Sequence, residues 1–135
     1  MSGHRKVTRL TRERAFATIK VLADAMLKGE KAVSYSDLAN RLEMANATGR
    51  GLGPVLDEAG AMCIERGLPD VSVVVVTKES LALGEPMPSE ESFKDGIWAR
   101  TGMSREEVPL EQDRVRSFDW TSVRELRLGE PKQHE

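Results

Sequence analysis

The chain has 135 residues, 39% of them hydrophobic and only 4% aromatic, with a formal charge of −2. That length fits one domain, and folding should bury roughly two-thirds of the unfolded surface around a core of Val, Leu, Ala and Met. No apolar run approaches the ~20 residues of a membrane helix, and the single Cys63 excludes an intrachain disulfide or a multi-thiolate metal site.

Met1 to Leu10 reads as a flexible basic arm, with Arg5, Lys6 and Arg9 and no apolar period. Its cations have no apolar stretch behind them, so it is not expected to be a secretory signal, and a cytoplasmic location is the expectation. Thr11 is the expected N-cap of a helix over Arg12 to Lys28, whose Ala15, Ile19, Leu22, Ala23, Met26 and Leu27 recur at helical spacing. Gly29 should end it. Ala32 to Tyr35 is short enough for one rung of a small sheet, and Ser36 should cap a helix running to about Met44. Asn46, Thr48, Gly49, Gly51 and Gly53 carry turn chemistry. Pro54 then opens a second helix, with Leu52, Val55, Leu56, Ala59, Met62 and Cys63 as its apolar stripe and Gly67 as its stop.

Val71 to Thr77 is predicted to be a strand covered on both faces, because four successive valines leave no polar side. Lys78 to Ser80 would begin a wing, and Leu81 to Pro88 an irregular connector. Ser89 should cap a helix to Thr101 with Phe93, Ile97 and Trp98 inward. Pro109 should interrupt a turn beginning at Ser104, with short helices over Leu110–Arg116 and Trp120–Leu128 to follow. Gly129 to Glu135 is a polar tail expected to fray. The division is therefore an arm over 1–10, one domain over 11–128 with a helical extension from about 89, and a tail over 129–135. The fold class expected is α+β, mainly helical, with a winged-helix-like core and a small sheet.

The run YSDLANRL, a Gly-rich turn, and then GLGPVLDEAGAMCIERGLP resembles the helix-turn-helix half of small winged-helix domains. It is similar to the first part of the DNA-binding domain of alkyltransferase-like proteins. In texture it resembles more closely small uncharacterised proteins of phages and mobile elements, in which Tyr-x-x-Leu-Ala and a Gly-Leu-Pro corner precede a Val-rich strand. The likeness covers about Val33 to Thr77 and implies a fold more than a function. Alkyltransferase chemistry needs a Pro-Cys-His-Arg nucleophile, whereas Cys63 stands in Ala-Met-Cys-Ile-Glu at a core position of a helix.

Charge is unevenly placed. Residues 1–50 carry ten Lys/Arg against five Asp/Glu, and residues 51–135 carry ten against seventeen. A basic arm could neutralise phosphates through Arg5, Lys6, Arg9 and Arg12. In a helix pair of this kind, Arg41 on the first helix and Asn46, Thr48 and Arg50 at the start of the second would face the groove. Asp57, Glu58 and Glu65 on the second helix would repel phosphates. They fit the alternative of a protein-binding adaptor or phage-type, anti-defence inhibitor with an acidic, DNA-mimicking surface. The sequence thus offers a non-enzymatic nucleic-acid-binding or regulatory module, or a module that binds a host protein, and a homodimer suits either. No cofactor, metal site or catalytic residue is expected: His4 and His134 lie in the two ends, and the adjacent pairs Glu90/Glu91 and Glu106/Glu107 suit helix starts. Trp98 and Trp120 are expected as core anchors, or else as an exposed interface pair.

Overall fold

In the computed structural model, residues 8–44 and 52–123 are described. Thr8 opens the first helix, α1 (Arg9–Leu27), by accepting the Thr11 amide at 3.0 Å. The helix therefore starts earlier than the Thr11 cap suggested, since Thr8 has the extended backbone and the hydroxyl acceptor that a cap requires. Its buried stripe of Ala15, Phe16, Ile19, Leu22, Ala23 and Met26 is as expected, but Leu27 is exposed because it lies past the inward face. Gly29, with φ +86°, reverses the chain and lets the Glu30 amide bond back to the Ala25 carbonyl at 3.0 Å.

Strand β1 (Val33–Ser34) runs directly into helix α2 (Tyr35–Arg41). Ser34, one strand residue, caps α2 by accepting the Asp37 amide at 3.2 Å, which moves the expected cap back from Ser36. Helix α3 (Leu52–Glu65) packs its Val55, Ala59 and Met62 side into the core with α1. The Asn46 to Arg50 turn between α2 and α3 lies outside the described residues, as do the Met1 to Val7 part of the basic arm, the end of the expected Trp120–Leu128 helix and the 129–135 tail.

The valine run is where sequence and structure differ most. Val71–Val74 forms a 3-10 turn, and only Val75–Val76 is strand (β2). Side-chain capping explains this: Asp70 Oδ1 accepts both the Ser72 amide, at 3.0 Å, and the Ser72 hydroxyl, at 2.7 Å. That local bonding offers the backbone an alternative to a sheet ladder. The burial reading holds, since Val73, Val74, Val75 and Val76 are all fully buried. β2 pairs in parallel with β1, Val33 opposite Val75 and Ser34 opposite Val76. A parallel pair needs a crossover, and α2 and α3 supply it.

The chain after β2 is helix α4 (Lys78–Ala82), capped by Thr77, where the wing was expected. Among the described residues no third strand returns to make a wing hairpin. The architecture is mainly helical with a two-stranded parallel sheet. Next come α5 (Glu90–Ser92), a π-helical turn over Phe93–Trp98 and α6 (Ala99–Thr101), in place of one uniform helix. Phe93 and Ile97 point into the core, whereas Trp98, the next residue round the turn, is 57% exposed.

Pro109 sits inside the first turn of α7 (Val108–Ser117), where its missing N–H is no loss, so it does not interrupt the helix. A 3-10 turn over Arg105–Glu107, with a Ser104/Glu107 capping box, leads into it. Buried Gln112 ties α7 to the valine run by donating to the Val73 carbonyl at 2.9 Å and to that of Pro86 at 3.0 Å. Trp120 is fully buried, with its indole N–H on the Val115 carbonyl at 2.7 Å.

Candidate functional site

Four segments converge on a cleft of about 700 Å³. Tyr35 at the start of α2 forms one side, and the first turns of α3 (Leu52 to Asp57) a second. Thr77 to Glu79 closes a third side, and Ser89 to Ile97 the fourth. Tyr35 pins the last segment in place: its hydroxyl accepts the Ser89 amide at 2.9 Å and donates to Ser89 Oγ at 3.4 Å. Thr77 and Ser80 brace the connector, through Thr77 N–H to the Met87 carbonyl at 3.1 Å and the Met87 N–H to Ser80 Oγ at 2.9 Å.

At the floor lie Ser72 and Arg100. Arg100 Nη2 donates to Asp70 Oδ2 at 2.8 Å and to Ser72 Oγ at 2.9 Å, while Nη1 reaches Asp57 Oδ1 at only 3.4 Å. Asp70 is 2% exposed and the Arg100 side chain 14%, so this is a largely desolvated ion pair. Two glycines make room for it. A Cβ on Gly60 would stand 2.5 Å from Arg100 Cζ, and one on Gly96 would stand 2.6 Å from Asp57 Oδ1. The guanidinium thus lies flat on α3, and the π turn closes directly over Asp57. Arg100 Nε, buried there, has no acceptor among the described residues.

Among the described residues, four carboxylates line the cleft, Asp57, Glu79, Glu91 and Asp95, against the two cations Lys78 and Arg100. Arg100 is already engaged by Asp70 and Asp57, while Glu79, Glu91 and Asp95 form no ion pair with another described residue. The site is therefore acidic at its mouth, with apolar surface from Tyr35, Leu52, Pro54 and Ile97 behind it.

The residues singled out from sequence are dispersed. Arg9 pairs with Glu13 at 3.1 Å, and Arg12 approaches Glu58 at 3.8 Å. Arg41 is clasped by Glu30 at 2.7 Å and Asp37 at 3.0 Å, and those bonds push its pKa up from an already high value. Arg5, Lys6, Asn46, Thr48 and Arg50 lie outside the described residues. Asp57 faces the cleft, whereas its neighbour Glu58 turns toward α1, where burial pushes its carboxyl pKa upward against the pull of Arg12. Glu65, at the end of α3, is exposed. The site formed by Asp70, Ser72 and Arg100 has no signature in the sequence, because Arg100 stands 28 and 30 positions from Ser72 and Asp70 and shares no local spacing with them.

Cys63 is fully buried, and desolvation pushes its thiol up to about 12 despite a backbone hydrogen bond from Val71. A thiol so placed is a core side chain and a poor nucleophile. Among the described residues no group of three His, Cys, Asp or Glu could hold a metal ion, and no helix is long and apolar enough to cross a membrane. Comparison with known proteins gives no match to a family model, to a curated protein or to a solved structure.

Proposed function

We propose that this chain is a non-enzymatic protein-binding module that engages a basic segment of its partner through the acidic cleft. The observation that carries the reading is the charge imbalance of that cleft, in which, among the described residues, the three carboxylates Glu79, Glu91 and Asp95 and the one cation Lys78 stand outside any ion pair. The pairing pattern elsewhere supports it. Arg9, Arg12 and Arg41, candidates for phosphate contact, each already face a carboxylate, so a nucleic acid would have to displace those partners. Exposed Trp98, on the π turn that walls the cleft, adds an aromatic side chain of the kind that anchors protein interfaces. The nucleic-acid reading rests instead on Arg5, Lys6, Asn46, Thr48 and Arg50, outside the described residues.

Fluorescence anisotropy with a labelled nona-arginine peptide and a labelled 20-base-pair duplex separates the two. The expected result is peptide binding that weakens with salt, and no duplex binding. Duplex binding without peptide binding would transfer the function to the basic segments.

A further inference from the structure

We infer that the partner segment taken by the cleft is amphipathic, with an aliphatic side chain seated in the groove and basic residues beside it on the wall of Glu91 and Asp95. This rests on the protein-binding reading above and names the chemistry of the segment. The groove is apolar at its back. Tyr35 of α2, Leu52, Pro54 and Leu56 of α3 and Ile97 of the π turn all line it. The Tyr35 hydroxyl is engaged by Ser89, so the residue offers its ring. Pro54 is exposed at the lip, beside Gly53, where a Cβ would meet nothing within 4 Å. The first turn of α3 thus borders open space above apolar side chains.

Charge around the groove selects what enters it. On the α4 wall Lys78 and Glu79 are neighbours and cancel, and at the floor Arg100 is matched by Asp70 at 2.8 Å. The wall from Ser89 to Ile97 is different. Its Glu91 and Asp95 line the cleft four positions apart, and among the described residues neither is held in an ion pair and no cation of that wall lines the cleft. Both are exposed, and an exposed ion pair contributes little on its own. Taking an aliphatic side chain out of water contributes more. A partner with both features is therefore favoured over one that is only basic or only apolar: the cations choose the wall, and the aliphatic group holds the segment in place.

The test is an NMR titration of the 15N-labelled full chain with the peptide Gly-Arg-Arg-Gly-Leu-Gly. Two relatives run in parallel, one with Ser for Leu and one with Gln for both arginines. The leucine peptide should shift the Tyr35 and Gly53 amides saturably and bind roughly fivefold or more tighter than the equally charged serine peptide. The glutamine peptide should bind far more weakly than the leucine peptide. Gly53→Phe, which fills the open lip, should erase the preference for leucine and leave the serine peptide bound as before. Should Gly53→Phe fail to fold, Pro54→Ser removes exposed apolar surface from the same lip and should lower the preference in its place. Glu91→Gln with Asp95→Asn should weaken both arginine peptides alike. Equal affinity for the leucine and serine peptides, a glutamine peptide bound as tightly as the leucine peptide, or a preference that survives Gly53→Phe would overturn the inference. Any of these with nona-arginine still bound would leave the acidic-cleft reading standing. Failure of the unmodified chain to bind nona-arginine or either arginine peptide would remove both.

Discussion

Arg100 and Asp70, thirty residues apart in sequence, meet at 2.8 Å beneath the cleft. The pair ties the helical segment after the π turn to the corner that precedes the valine run. Asp70 is bound on its other side as well, since its own amide donates to Glu111 at 2.9 Å. The ion pair therefore links the Val71–Val74 turn to α6, and the Asp70 amide links that corner to α7.

Removing only one partner should be costly. Arg100→Leu leaves Asp70 buried with hydrogen bonds from Ser72 but no counter-charge, and should lower stability by about 3 kcal/mol. Adding Asp70→Asn to that variant should recover part of the loss, because the uncompensated charge is gone. Urea denaturation of the two variants checks both statements.

Gly60→Ala probes the same pair from α3. Its Cβ would sit 2.5 Å from Arg100 Cζ, so the guanidinium must lift off Asp70 and Ser72. In an exposed helix Ala in place of Gly stabilises by roughly 1 kcal/mol. Here the sign should reverse, with a lower melting temperature, and a raised one would mean that Arg100 moves freely.

Val74→Asp should abolish cooperative folding. Val74 is fully buried among valines, and an unpaired carboxylate there costs several kcal/mol, on the order of the stability of a whole domain. A soluble Val74→Asp protein with a sharp melt would contradict the core described here.

These residues also show what the sequence could disclose. The stripe of α1 and the stripe of α3 were legible because a helix repeats its inward face every three or four residues, and local spacing reports that directly. The valine run was legible as buried but not as a 3-10 turn, because its backbone is set by the two hydroxyl and amide bonds to Asp70. Trp98 is expected inward because it is large and aromatic, yet it lies one residue past Ile97, off the face that Phe93 and Ile97 bury, and is exposed. The cleft itself was illegible. Its floor depends on contacts between positions 57, 70, 72 and 100, which the chain brings together only through tertiary packing.

Cys63 makes alkaline pH a further test. Its thiol is pushed up to about 12 in the folded protein from an ordinary value of 9.0, so in that window the folded state holds a proton that the unfolded state has lost. The sign follows: the stability tied to this group is intact below pH 9, declines as pH rises, and is lost by about pH 12, at about 1.4 kcal/mol per pH unit. Cys63→Ala should lower stability at pH 7 through the cavity it leaves, yet show a shallower decline above pH 9 than the unmodified chain. Equal slopes in pH-dependent urea melts would mean that the thiol ionises as readily folded as unfolded.

The central claim is that the carboxylates of the cleft bind a basic partner segment, and its most direct test is a charge-removal comparison in nona-arginine anisotropy. The triple variant Glu79→Gln, Glu91→Gln, Asp95→Asn removes the three unpaired cleft acids, all exposed, so the fold should survive. A control variant, Glu85→Gln with Glu106→Gln, removes two exposed acids that do not line the cleft. The expected outcome is a Kd raised at least tenfold in the triple variant, about 1.4 kcal/mol or more, and little changed in the control. Equal weakening in both variants, or a triple variant that binds as tightly as the unmodified chain, would contradict the claim.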